Sequence, residues 1–440
     1  MAAAVVPAPA IPEQTADGER IIPTEGMAQY VVPDFTIKDL LDAIPAHCFK
    51  RNAFRSSLYV LWDLSLLAVL AYAVTQANAY LNALVLPPYA NAAAKFALWN
   101  AYWFASGLVG TGVWVLAHEC GHQAFSESKT INNAVGWVLH SALGVPYHSW
   151  RITHGKHHAS TGHLTRDQVH VPWTRSDYGL APLDENREDP EGRWIAESMR
   201  REFNDALVET PIHQLYKLIV QQIGGWPAYL LTNVSGQLSY PAGTNHFNPK
   251  SVVFEPRHYW QIIMSDVGVA CWLAGLGTWA YYRGISEVAL YYLPTYLWVN
   301  NWLVMITFLQ HTDALVPHYR GGMWTFPRGA LATIDRRLLG PIGGWVLHGI
   351  AETHVAHHVH SKMPHYHAWA ATAALKERLG PCYMESNENM FRALWIAYRD
   401  CKFVEDKGDI VFFKNRSGIA KAVAVFPDKG VISDSGVDVQ

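Results

Sequence analysis

The chain has 440 residues, of which 16% are charged, and its mean hydropathy is +0.00. This mixture is too polar for a pure transporter and too apolar for an ordinary soluble enzyme; it fits a few spanning helices joined to a sizeable water-facing part. The net charge of −3 excludes a basic nucleic-acid binder. An odd number of scattered cysteines predicts reduced thiols in a cytosol-facing protein: Cys48, Cys120, Cys271, Cys382 and Cys401.

The first thirty residues are rich in Ala, Pro and Glu and contain no apolar run typical of a cleaved signal peptide. We therefore expect a disordered cytosolic tail over residues 1–34. No internal repeat or linker is visible in the remainder, so we predict one domain over residues 35–440.

Four apolar segments have the length of about 20 residues that is needed to cross a bilayer. They are 58–77, 96–117, 261–281 and 290–310. The cations Lys50, Arg51 and Arg55 precede the first segment and place the N-terminus on the cytosolic side. Asp63 lies inside that segment, where an ionisable side chain is costly unless it faces protein or water.

Two further apolar segments are predicted to lie at the membrane interface. Segment 131–147 is short, and segment 212–231 is interrupted by Lys217, two glycines and Pro227. Four crossings then leave both termini and every histidine cluster on the cytosolic face. The predicted fold is an all-α integral membrane protein with about four transmembrane helices, interfacial helices and a cytosolic histidine-rich region that binds two metals.

Three short histidine clusters carry the chemistry of the chain. They are His118 and His122; His154, His157 and His158; and His354, His357 and His358. Residues three and four apart share one face of a helix, so each cluster presents two or three imidazoles together. Histidine is the commonest metal ligand, and imidazole suits Zn, Cu, Fe and Ni. The spacing predicts more than one bound metal without choosing among them.

The three clusters, in this order and with these apolar flanks, resemble the histidine boxes of the membrane-bound fatty acid desaturases. The resemblance extends to FTIKDL at 35–40, AIPAHCF at 43–49, PYHSWR at 146–151, TGH at 161–163, FLQHT at 308–312 and MPHYH at 363–367. It runs from about residue 35 to residue 413, and the box flanks are most similar to the fungal delta-12 (oleate) enzymes. Gln123 and Asp313 stand where many relatives carry a further histidine.

The resemblance implies two iron ions held by the box histidines, with His311 as an additional ligand and no catalytic group beyond the metal ligands. Glu119 and Glu352 are candidates to orient the imidazoles, and His348 could ligate or cap. The resemblance further implies O₂-dependent desaturation of a fatty acyl chain, most similar to the conversion of oleoyl to linoleoyl in membrane lipid.

No nucleotide-binding, flavin or haem-binding motif occurs in the sequence, so electrons are expected from a partner. The resemblance implies cytochrome b5 and its NADH-dependent reductase at the endoplasmic reticulum membrane. Three alternatives stay open. They are omega-3 desaturation, a divergent hydroxylase, epoxygenase or conjugase on the same site, and, more remotely, a metal transporter.

Overall fold

The structure is a computed structural model that describes residues 27–180, 210–426 and 430–432. The described helices are α1 (Ile37–Ala43), α2 (Ala53–Ala83), α3 (Pro88–Gly121), α4 (Lys129–Ala142), α5 (Tyr147–Ser160), α6 (Pro211–Thr232), α7 (Tyr259–Arg283), α8 (Ile285–Tyr291), α9 (Leu293–His311), α10 (Phe326–Ala330), α11 (Gly340–Val346), α12 (His354–Val359), α13 (His365–Leu379) and α14 (Met390–Asp400). The short strands are β1 (Ala28–Val31), β2 (His318–Tyr319), β3 (Asp335–Arg336), β4 (Glu385–Ser386), β5 (Ile410–Val411), β6 (Ala422–Phe426) and β7 (Gly430–Ile432). The molecule is thus mostly helical, as predicted, but not purely so.

Two of the described helices, α2 and α7, are long and apolar enough to cross a membrane; for α7 the apolar stretch begins at Pro256. Both leave large apolar side chains exposed, among them Leu61 and Val69 on α2 and Leu273 on α7. Helices also lie at the other two predicted spans, within α3 and across α8 and α9. Between α8 and α9 the helix is interrupted at Tyr292. Pro294 follows in the first turn of α9, where a missing N–H costs no intrahelical bond.

Helix α3 is the central element, because it packs against α2, α4 and α9. Its C-terminal half is buried from Ser106 onward. A methyl group at Gly107 would overlap the Cβ of Trp298 on α9, and one at Gly110 would lie 2.8 Å from Val299 Cγ2. Glycine at these two positions therefore allows α3 and α9 to approach closely.

The two segments predicted to lie at the interface form α4 and α6. Helix α4 has 14 residues and spans about 21 Å, which is short of the roughly 30 Å hydrocarbon core. Helix α6 exposes Ile212, Leu215 and Ile219 on one side and packs against α9 on the other. Neither helix is among the two candidate spans.

The small sheets join distant parts of the chain. Strand β1 pairs in parallel with β6, with Ala28 opposite Ala422, and β6 pairs antiparallel with β7. The disordered tail was predicted over residues 1–34. Residues 1–26 lie outside the described residues, and β1 forms within residues 27–34. Pairing with β6 satisfies the backbone of β1 and buries Tyr30 and Val32, so this part of the predicted tail is ordered.

Candidate metal centre

Each histidine cluster is presented by the end of a helix. His118 lies in the last turn of α3, and the backbone N–H of His122, which caps that helix, donates to the carbonyl of His118 at 3.1 Å. The second cluster lies on α5, the third makes up most of the short helix α12, and His311 is the last residue of α9. The structure brings all nine predicted ligands together, and eight of them are buried: His118, His122, His157, His158, His311, His354, His357 and His358. His154 is partly buried and lines a cavity.

The imidazoles form two groups whose candidate ligand atoms lie within 4.8 Å of one another. The first group contains His118, His122, His154, His158 and His357, and the second contains His157, His311 and His358. His354 adjoins the second group, because its Nε2 lies 3.1 Å from the Nε2 atoms of both His311 and His358. The nine residues thus divide into a set of five and a set of four.

The nitrogen separations are those of ligands that converge on a metal. Two nitrogens that each lie about 2.1 Å from one ion, at right angles, are about 3 Å apart. The Nε2 atoms of His154 and His158 are 3.2 Å apart, close to the 3.1 Å separations in the second group. Several buried imidazole nitrogens have no hydrogen-bond partner among the described residues: His118 Nδ1, His122 Nε2, His157 Nε2 and His357 Nε2. Buried polar atoms normally have partners, so these nitrogens fit a metal site.

Burial also keeps the imidazoles in the form that binds metal. It lowers the pKa of His357 to about 3 and holds the pKa values of His158 and His354 well below the usual range, with neighbouring histidines adding to the effect. Neutral imidazole offers a lone pair, whereas the protonated ring offers none. The cluster is therefore ready to bind metal at neutral pH.

Asp167 orients one of the predicted ligands. Both of its carboxylate oxygens lie 3.0 Å from His157 Nδ1, so the ring donates its Nδ1–H to the carboxylate and leaves Nε2 facing the cluster. Burial raises the pKa of Asp167, but the contact with His157 and the nearby His170 outweigh it, so the net direction is downward. Three backbone N–H groups, those of Gly162, Val169 and His170, also donate to this carboxylate.

The two predicted orienting residues, Glu119 and Glu352, and His348, which was predicted to ligate or cap, have other partners in the structure. Glu119 accepts a hydrogen bond from the backbone N–H of His365 at 2.8 Å. Glu352 accepts one from the backbone N–H of Leu338 at 3.3 Å. His348 Nε2 lies 2.7 Å from Asp63 Oδ2, so the ionisable residue inside the first predicted span faces protein. None of the three has a hydrogen bond to a box histidine among the described residues.

Two residues at the centre were missed by sequence reasoning, Asp167 and His170. The ring of His170 stacks on that of His311 at a centroid distance of 4.6 Å and lies 5.4 Å from that of His157. Both residues lie in the connection after α5, outside any helical spacing. The only signal in the sequence is an aspartate followed three residues later by a histidine, close behind the second cluster.

A cavity of about 660 Å³ opens onto the metal-binding histidines. His118, His154 and His311 line it, together with side chains from α3, α5, α6 and α9. Most of the other lining side chains are apolar or aromatic, including Trp114, Val115, Trp150, Val220, Trp226, Leu303, Val304, Ile306 and Phe308. Its volume is typical of a site for a small organic ligand, and its walls suit a hydrocarbon.

The comparisons with known proteins agree with this geometry. The sequence model of the family described as "Fatty acid desaturase" matches residues 96–387. The chain is 49% identical over 388 residues to a Delta(12) fatty acid desaturase of Mortierella alpina, covering 88% of this chain and 92% of the relative. It is 41% identical over 373 residues to the Delta(12)-acyl-lipid-desaturase of Punica granatum (85% and 87%), and 39% identical over 427 residues to an oleate hydroxylase of Claviceps purpurea (90% and 84%). The predicted resemblance is confirmed, and the chain belongs to the fatty acid desaturase family.

Proposed function

We propose that this protein is an O₂-dependent desaturase that converts oleoyl to linoleoyl chains in membrane lipid. One observation carries the proposal: a largely apolar cavity is lined by five of the nine converging histidines, in a chain that is 49% identical to a Delta(12) fatty acid desaturase. An unactivated methylene has no acidic proton, so general acid–base or nucleophilic groups cannot remove its hydrogens. The reaction needs an oxidant carried by a cofactor, and the protein supplies position and surroundings.

The cofactor we propose is a pair of iron ions. His118, His122, His154, His158 and His357 would hold one ion, and His157, His311, His354 and His358 the other. Iron bound there would supply, together with O₂ and electrons, the oxidising power needed to remove hydrogen from the acyl chain. No carboxylate belongs to either group, so the choice of iron rests on family membership rather than on the ligand set.

The residues of the chain position the substrate and exclude water. Trp114, Trp150 and Trp226 surround the cavity beside the first and second clusters, with the Trp114 and Trp150 rings 5.2 Å apart. Since a methylene has no polar group to be recognised, the position of the new double bond depends on how deep the chain reaches into such a cavity. Asp167 holds His157 in the tautomer that faces the cluster.

We extend the proposal to the cellular setting. The protein would be a multi-pass protein of the endoplasmic reticulum membrane with an N-terminal tail and one desaturase domain. Three of its four spans would lie within α2, α3 and α7, and the fourth across α8 and α9. Cytochrome b5 and its reductase would deliver electrons from the cytosolic side. The two apolar helices α2 and α7 and the names of relatives such as "Omega-6 fatty acid desaturase, endoplasmic reticulum" of Brassica juncea support this arrangement.

The test is fatty-acid profiling of a yeast that lacks polyunsaturated lipids and expresses the chain. We expect dienoic C18 chains and no trienoic product. A trienoic product from supplied linoleate would favour omega-3 action, and a hydroxylated chain would favour the chemistry of the Claviceps purpurea relative. His157→Ala should abolish the product, whereas His213→Ala, on α6 and outside both histidine groups, should not. No new fatty acid from a membrane-inserted, iron-loaded protein with a competent reductase would contradict the proposal.

A further inference from the structure

A group of cations lies beside the cavity where α6 meets the end of α14. Lys217 lines the cavity, as does Tyr398 of α14. The ammonium of Lys402 lies 4.4 Å from the centroid of the Tyr398 ring and donates a hydrogen bond to Gln214 Oε1 at 3.2 Å. Gln214 and Lys217 are both on α6, so Lys402 and Lys217 flank the same stretch of that helix.

The two lysines have no acidic partner among the described residues. The partners of the Lys402 ammonium are an amide oxygen and an aromatic ring. The nearest acid in the sequence, Asp400, is already engaged by Arg399 at 2.7 Å and Lys421 at 2.6 Å. Burial, together with the positive charges of Arg416 and Lys217, lowers the pKa of Lys402 to about 8. Two lysines that lie close together and have no ion pair with an acid among the described residues favour the binding of an anion.

The distance from these lysines to the metal centre suits an acyl chain. At its other end, α6 places the hydroxyl of Tyr229 3.2 Å from Thr153 Oγ1, next to His154. Tyr229 follows Lys217 by twelve positions, or about 18 Å along the helix. Carbon–carbon bonds of about 1.5 Å at tetrahedral angles advance about 1.25 Å each, so the twelfth carbon of an extended chain lies about 14 Å from its carboxyl carbon. A chain whose twelfth carbon reaches the histidines therefore has its head group near Lys217.

The position of α6 agrees with a polar head group at this end. Its exposed side carries Ile212, Leu215 and Ile219, so the helix suits the boundary between head groups and acyl chains. A lysine on such a helix can extend its ammonium toward the aqueous side, where lipid phosphates lie.

We propose that Lys217 and Lys402 bind the phosphate of the head group that carries the acyl chain, and so select a phosphate-bearing donor over a phosphate-free acyl lipid. The inference rests on the proposed function, because it assigns the cavity to that acyl chain. Two donors share the required chemistry, a membrane phospholipid and a phosphate-bearing acyl thioester.

The test is equilibrium binding of radiolabelled lipids to the purified full-length protein in neutral detergent. The probes are dioleoyl phosphatidylcholine, oleoyl-coenzyme A and dioleoylglycerol, which has the chains of the first without its phosphate. We expect at least one phosphate-bearing probe to bind tighter than dioleoylglycerol. Lys217→Gln and Lys402→Gln should each weaken that binding about tenfold, because each removes a charge-assisted contact. The affinity for dioleoylglycerol should not change in either variant. Lys217→Arg, which keeps the positive charge, should retain the binding of the phosphate-bearing probe.

Lys250→Gln, an exposed lysine away from the cavity, is the matched control, and unchanged iron content and thermal stability would show that the variants fold. The probe whose binding depends on the lysines identifies the donor. Equal binding of all three probes, or unchanged binding in both glutamine variants, would overturn the proposal. Lysine-dependent binding without any desaturated product would instead contradict the proposed function and leave the phosphate site in place.

Discussion

Asp167→Asn tests the part of the metal centre that sequence reasoning did not find. The carboxylate contacts His157 Nδ1 with both oxygens at 3.0 Å and accepts backbone N–H groups on each of them. Asparagine keeps the size of the side chain but has only one acceptor oxygen and no charge. It therefore cannot accept from backbone donors at both oxygen positions, and it no longer favours the tautomer whose Nε2 faces the cluster.

The expected loss of metal affinity follows from the hydrogen bond between His157 and Asp167 that the substitution weakens. A buried hydrogen bond to a charged group contributes about 1.5–3 kcal/mol, which corresponds to roughly a 10- to 100-fold loss of metal affinity or activity. The assay is metal content after dialysis against a graded chelator, combined with the initial rate of product formation. Asp177→Asn, an exposed change in the same connection, should have no effect. Full metal retention and full activity in Asp167→Asn would refute the role assigned to this carboxylate.

Three further outcomes are expected. Gly107→Ala should lower the free energy of unfolding by about 1–3 kcal/mol because the added methyl meets α9, whereas Gly275→Ala, with open space around it, should be neutral or mildly stabilising; thermal unfolding in detergent compares them. Asp63→Ala should lower the free energy of unfolding by about 1–3 kcal/mol, because the buried imidazole of His348 loses its hydrogen-bond partner. The metal content of this variant should be unchanged. Tags placed at Ser128 and Arg151 should both be labelled from the cytosolic side; labelling from opposite sides would contradict the membrane arrangement.

The nine histidines could be predicted because their grouping is local. Spacings of three and four residues place imidazoles on one face of a helix whatever the rest of the chain does, as α5 shows. The division into five and four could not be predicted, since it depends on how α3, α5, α9 and α12 meet. His157 and His158 are neighbours in sequence, yet they fall into different groups.

Contacts between distant residues account for the rest of what was missed. Asp167 reaches His157 through a turn with no helical period, and β1 pairs with a strand almost 400 residues later in the chain. Hydropathy located all four predicted spans as helices, but α3 and α9 bury much of their surface against other helices and carry polar and aromatic residues. Among the described helices, only α2 and α7 are long and apolar enough to be candidate membrane spans.

The central claim is that the nine histidines form a centre for two metal ions. Its most direct test is the iron content of the purified full-length protein by mass spectrometry, with protein quantified by amino-acid analysis. We predict two iron atoms per chain. One iron atom or none in a folded and catalytically active protein would contradict the claim.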